Sequence, residues 1–407
     1  MLPQTCAPIV ARVTARLPVP SAVTSSGYNP VLDGLRALSV VAVIGDHAGF
    51  HSHGFHGVTV FFVLSGYLIT ALLIHECDRS GTVSFRRFYW RRLIRLAPAL
   101  VLVVIATVGY LVAVGQSPAT YWAGPVGALT SSMDLIQAIH GNAAVGMPFQ
   151  WSWSLGVEEQ FYLLWPIGLL LLWRRDRRLI APLLLVLVAG AWALRAAQIA
   201  SGAPQPAVFF GPVSHYDALV LGVLIAVFRA RRTPGRAGNV IIGVAGALGA
   251  VGLILLELRL PTVPGLASID PDNFGQAAVF ATGVVLWASG PPGGTARAVL
   301  GSRPLAFIGR LSYGLYLWNI LTVIVFMRLT GLHPAQTHWG LVWGVALLAL
   351  CTASYLLVEQ PLRRRWATPA FLFREPARTE AGSRRAAALG SPEGLLPRTA
   401  PNPNGRR

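Results

Sequence analysis

The chain has no lysine: its 33 basic residues are all arginine, set against only 16 acidic ones. That absence excludes Schiff-base chemistry on a lysine amine. The three cysteines, Cys6, Cys77 and Cys351, stand far apart and match no metal or redox spacing, so neither a bound metal nor a working dithiol is expected. Charge itself is scarce, at 12% of 407 residues, about half of what a soluble domain carries. What fills the chain instead is apolar, 54% of it hydrophobic. The formal charge of +17 raises nucleic acid as a partner, but the arginines lie in short clusters between apolar runs. That pattern writes membrane topology, and no nucleic acid is expected.

Apolar segments fall at 35–50, 58–76, 98–114, 151–173, 179–200, 208–228, 240–258, 274–289, 313–330 and 339–358. Each approaches the length needed to cross about 30 Å of hydrocarbon. The expectation is an all-α, polytopic transmembrane helix bundle of about ten spans embedded in the lipid bilayer. Alternate connections carry the arginines: 79 to 95, 174 to 178, 229 to 236, 297 to 310 and 363 to 365. The other connections hold almost none beyond Arg259. The positive-inside bias places both termini in the cytoplasm and the protein in the cell's inner membrane as a multi-pass protein. Residues 1–30 read as a flexible cytoplasmic leader, 31–366 as the transmembrane domain, and 367–407, rich in Pro, Gly and Arg, as a disordered cytoplasmic tail.

Within this apolar chain a few ionisable groups stand out. In "LRALSVVAVIGDH", Arg36 and His47 are eleven residues apart, which brings them to nearly one helix face, displaced by roughly 16 Å along the axis. Two readings stand side by side: a cation and an imidazole along a pathway through the bundle, or a short helix whose Asp46 and His47 have emerged into the outer headgroups. Asp46 points about 100° away from His47 and reads as a polar helix end. His51, His53 and His56 read as a solvated, glycine-rich outer loop. In "WSWSLGVEEQFYLLWP", Glu158 and Glu159 open the fourth span, and adjacent carboxylates face different directions. Helix N-terminal acids with Ser154 as the cap are the plain alternative. Asp217 follows a break at Gly211 and Pro212, either lining a cavity or starting a capped helix. In "FRRFYWRRLIRLAP", Arg92 and Arg95 share a face, with Arg91 beside them. Such guanidinium pairs suit phosphate, and ordinary topology signalling leaves their aromatic packing unexplained.

These segments, in order, resemble acyltransferase family 3, integral membrane proteins that O-acylate cell-surface polysaccharide, lipid-linked sugars and macrolides. The resemblance runs from about Leu32 to Arg365, on "LDGLRALSVVAVIGDH", "GVTVFFVLSGYLIT", "FYWRRLIRLAP", "WSLGVEEQFYLLWP", "DALVLG", "IGRLSYGLYLW" and "YLLVEQPLRR". It implies acyl-CoA as co-substrate, no resident cofactor, and a carbohydrate, glycolipid or macrolide acceptor. By the same resemblance Arg36 and His47 match an essential pair, Arg92 and Arg95 a basic pair, and Glu158 an acid of the fourth-span motif. The chain departs from the pattern at Thr59, at His215, at Gln360 and at Asn319, where a second histidine is usual.

The expected chemistry is acyl transfer with coenzyme A phosphates on Arg91, Arg92 and Arg95, and His47 as general base. Glu158 or Asp217 is expected to orient or charge-stabilise the imidazole. Ser65 in "FVLSGY" reads as small-residue helix packing rather than as a nucleophile. The alternative from another class is a transporter or flippase of a sugar-bearing lipid that uses the same charges as a relay. It finds no support in an internal repeat.

Overall fold

The computed structural model describes residues 23–24, 27–50, 54–142, 145–211, 213–259, 272–291 and 293–366. The expected leader up to residue 22, the tail from 367, and His51 and His53 lie outside them. A two-residue antiparallel ladder, β1 (Val23–Thr24) with β2 (Gly27–Tyr28), precedes an all-helical chain. Helix α1 is Pro30–His47, α2 Phe55–Ser80 and α3 Phe85–Ala113. Two short helices follow, α4 (Ala123–Thr130) and α5 (Met133–His140), then α6 (Trp153–Arg175) and α7 (Ile180–Ala200). Next come α8 (Gln205–Phe210), α9 (Val213–Arg231), α10 (Arg236–Arg259), α11 (Asp272–Ala288) and α12 (Thr295–Leu300). The chain closes with α13 (Arg303–Thr330), α14 (Trp339–Ser354), a π-helical turn at Tyr355–Glu359, and α15 (Gln360–Trp366).

All ten apolar segments fall on helices, and eight helical stretches among the described residues are long and apolar enough to cross a membrane. The other two are α1, which carries Asp33, Arg36 and Asp46 in 18 residues, and α11, which has only 17. The protein is therefore a multi-pass membrane protein with eight such helices, where the sequence pattern counted ten. The arginine cluster before the third span is itself helical, since α3 already begins at Phe85.

Local chemistry sets the helix ends. Asn29 Oδ1 accepts from the Val31 amide at 3.1 Å while Pro30 fills the first turn of α1, where a missing N–H costs nothing. Gly81 stops α2 with φ at 69°, a left-handed conformation that glycine adopts without strain. The arginine-bearing connections meet one another: Arg177 pairs with Asp78, Arg363 donates to the Arg95 carbonyl, and Trp90 donates to the Trp366 carbonyl. They therefore form one end of the bundle.

Two stretches form its centre. In α2, 78% of the apolar stretch is buried, and in Gln205–Arg231, which contains α9, 71%; the six others reach only 22–44%. The peripheral helices expose Ile105, Leu171, Val186 and Leu341, the surface a lipid solvent requires. At the centre the backbones touch. A Cβ on Gly66 would overlap the Leu219 carbonyl of α9, and one on Gly222 would overlap the Val63 carbonyl of α2. Small residues permit this approach where lipid supplies no hydrophobic drive between helices. Gly309 of α13 makes the same kind of contact with the Asp33 carbonyl of α1, which fixes α1 against α13.

Candidate active site

A cavity of about 130 Å³ lies between α1, α2, α3, α6 and α13. Its wall on α2 runs from Val58 to Leu72, fourteen positions or about 21 Å of helix. That is room for roughly ten water-sized groups. Arg36, Arg92, Arg95, Arg310 and Arg363 all line it. The Nε atoms of Arg36, Arg310 and Arg363 are buried without a hydrogen-bond partner among the described residues. A buried guanidinium nitrogen left unpaired is costly, and an anion is the group that satisfies it.

Neighbouring groups position these cations. Arg92 donates through Nε to both Glu159 oxygens, at 3.2 and 3.3 Å, and lies over the Tyr162 ring. Arg363 donates to Glu359, which the π-helical turn presents at 2.9 Å. Such turns recur at functional sites. Arg310 donates to the Tyr28 hydroxyl at 3.3 Å, and Tyr28 donates to Asp33 at 2.8 Å. Partial burial, with the Asp33 carboxylate beside it, pushes the Tyr28 hydroxyl up to about 12, so it remains a neutral donor. Arg91, expected with the phosphate-binding pair, is exposed and does not line the cavity.

Glu158 also lines the cavity, where Oε1 accepts from Ser65 Oγ at 2.5 Å. Ser65 is thus more than a small packing residue: a carboxylate on α6 holds its hydroxyl. Ser154 caps nothing. It is the second residue of α6, and its Oγ meets the Tyr316 hydroxyl at 2.6 Å. Tyr316 in turn donates to the Trp151 carbonyl at 2.7 Å. Both hydroxyl-bearing residues line the cavity.

His47 does not line the cavity. The half-buried ring has Nδ1 2.6 Å from Asn319 Oδ1, and Asn319 lies three residues past the cavity-lining Tyr316 on α13. Neither of the carboxylates expected to orient the imidazole is bonded to it. Glu158 is taken by Ser65. Asp217 is taken by Arg195 of α7, paired at 2.8 Å, and by Trp192 Nε1, also at 2.8 Å. The reason is positional: Asp217 packs on the α7 side of α9, and the Arg195 guanidinium also donates to the Ser214 carbonyl. His56 departs from expectation too. It is buried in α2 with Nδ1 2.8 Å from Glu257, not solvated in a loop. Asn319 stood out in the sequence only as a departure from a pattern, and Arg195 went unnoticed because it stands alone in an apolar run.

This arrangement sets an arginine-lined cavity, with a pair of hydroxyls in its wall, near an imidazole held by Asn319 one helical turn from Tyr316. Comparison with known proteins agrees with a transferase on such a frame. Peptidoglycan O-acetyltransferase OatA of Listeria monocytogenes is 28% identical over 361 residues, covering 84% of this chain and 56% of its own length. O-acetyltransferase OatA of Staphylococcus aureus is 30% identical over 371 residues, covering 84% of this chain and 58% of its own length. The chain thus spans a little over half the length of these relatives. No solved structure matches it. The sequence profile of the acyltransferase 3 family, described as an acyltransferase domain, matches residues 29–359, and the chain belongs to that family.

Proposed function

We propose that the protein moves an acyl group, acetyl or another short chain, from cytoplasmic acyl-CoA to a hydroxyl of a carbohydrate, glycolipid or macrolide acceptor. The observation that carries this reading is the cavity walled by five arginines, three of them with a buried Nε that has no partner among the described residues. Coenzyme A brings phosphates for those nitrogens and a thin arm to enter the cavity between them. The relatives' names, which specify O-acetylation and in one case peptidoglycan, favour a cell-envelope carbohydrate as acceptor.

In this reading the phosphates rest on Arg92, Arg95, Arg310 and Arg363, and the thioester passes Arg36 toward the far end. The Tyr316 and Ser154 hydroxyls part to admit the acyl group. His47 Nε2 takes the proton of the acceptor hydroxyl as its oxygen attacks the thioester carbonyl. The C–S bond breaks, and the proton returns to the departing thiolate, giving the ester and free coenzyme A. A positioned base of this kind contributes about 10² to 10⁴ in rate. Glu158, held by Ser65, faces the thioester path and balances the arginine charge there.

The test is release of free thiol by purified protein in detergent, given acetyl-CoA and a carbohydrate acceptor. His47→Ala is expected to lower release by about 10² to 10⁴. Undiminished release in that variant would remove His47 as the base. Movement of a sugar-bearing lipid across vesicles without thiol release would favour the transport alternative.

A further inference from the structure

His47 is bonded to an amide where a carboxylate was expected, and the amide's own hydrogen bonds decide which way it faces. Asn319 is fully buried, and its Nδ2 lies 3.2 Å from the Leu315 carbonyl and 2.5 Å from the Tyr316 carbonyl. Both are oxygens that only accept, so both amide hydrogens are committed to them. The reversed amide would set its oxygen against two carbonyl oxygens and leave its hydrogens facing the ring. Thr322 Oγ1 donates to the Asn319 carbonyl and ties the same turn of helix. The side-chain oxygen therefore faces His47, and an oxygen without a hydrogen can only accept. The hydrogen between them sits on Nδ1. In a neutral imidazole with Nδ1–H, Nε2 carries the lone pair, and among the described residues Nε2 makes no hydrogen bond.

We infer that Asn319 is a positioning residue that fixes the Nδ1–H tautomer of His47 and leaves Nε2 as the basic nitrogen. The inference rests on the reading of His47 as the base. It gives the chain's departure at position 319 a function. A second histidine there has two tautomers of its own, whereas an amide held by two carbonyls has one orientation. A carboxylate would fix the ring equally well but would favour imidazolium, which cannot accept a proton. A neutral acceptor orients the ring and leaves it unprotonated near neutrality. The ionisable neighbours do not alter this. Asp46 is exposed and lies about 100° round its own helix, and the His333 ring packs on Gly49 beyond the end of α1.

The experiment compares wild type with Asn319→Leu, which keeps side-chain volume without an acceptor, and with Asn319→Asp, which keeps an oxygen toward Nδ1. Histidine nitrogens labelled with ¹⁵N report the tautomer, and His47→Ala identifies the signals of that ring. Wild type is expected to show Nδ1–H. Asn319→Leu is expected to lose the single tautomer and roughly 10- to 100-fold in kcat, as when a ring-orienting partner is removed, with the KM for acetyl-CoA little changed. Asn319→Asp is expected to keep Nδ1–H and to move the acid limb of the pH–rate profile upward by about one unit or more. Nε2–H in the wild type overturns the inference. So does an Asn319→Leu protein with unchanged tautomer and kcat, or one whose losses are in folding and KM while Asn319→Asp leaves the profile in place. Full thiol release by His47→Ala would sink the base assignment instead, with the tautomer signal still reporting the Asn319 contact.

Discussion

The guanidinium of Arg195 and those of Arg36, Arg310 and Arg363 are all held within one bundle, yet only Arg195 has no buried nitrogen left over. Its partners are a buried carboxylate and a backbone carbonyl, and Trp192 shares the carboxylate. Nothing more is needed there, and the pair ties α7 to α9. Of the cavity arginines, Arg36, Arg310 and Arg363 each keep a buried Nε with no acceptor among the described residues. In a low-dielectric interior a matched ion pair is scaffold, and an unmatched cation is a place for an anion to bind.

That contrast is broken most forcefully by removing one member of the matched pair. Asp217→Ala leaves the Arg195 charge buried and alone, and is expected to cost about 3 to 5 kcal/mol in thermal or denaturant unfolding. The double change Arg195→Leu with Asp217→Leu is expected to recover most of it. A stable Asp217→Ala protein that loses only turnover would move Asp217 back among the catalytic groups. The cavity should respond in the opposite sense. Arg310→Gln is expected to raise the KM for acetyl-CoA roughly tenfold to hundredfold, the worth of one charge-assisted hydrogen bond, without lowering stability. Exposed Arg91→Ala, the control beside it, should change neither.

A buried carboxyl sharpens the comparison because none of the described residues pairs it with a cation. Asp134 is fully buried, with the Gln160 amide donating to both of its oxygens at 3.0 and 2.9 Å. Burial pushes its carboxyl from 3.8 up to about 6. The folded form therefore binds the proton more readily than the unfolded chain does. Stability present below 3.8 is lost as pH rises through about 6. Asp134→Asn should abolish that slope, so its advantage over wild type grows between those values to about 3 kcal/mol and then stays level. Parallel stability curves for the two proteins would show that the carboxyl is not held in its neutral form.

Much of the frame was legible because it is written locally. Apolar length marks each helix, arginine clusters mark one end of the bundle, and Asn29–Pro30 marks the start of α1. Arg36, Arg92, Arg95 and Glu158 were named from spacing and resemblance, and they line one cavity. The contacts that give them meaning were not legible. Asn319 reaches His47 across 272 residues, Glu158 reaches Ser65 across 93, and Glu257 reaches His56 across 201. Helix periodicity says which face a residue occupies and nothing about which helix that face meets. Two of the ten segments fall outside the eight helices long and apolar enough to cross, because α1 carries Asp33, Arg36 and Asp46 and α11 has only 17 residues.

The interlocked glycines at the centre bear on how such a protein can move. With Gly66 under the Leu219 carbonyl and Gly222 under the Val63 carbonyl, neither α2 nor α9 can slide along the other without steric collision. The pair acts as a fixed axle. Rocking of two halves about a central site, the usual means of carrying cargo across a bilayer, would therefore have to carry α2 and α9 together as one body.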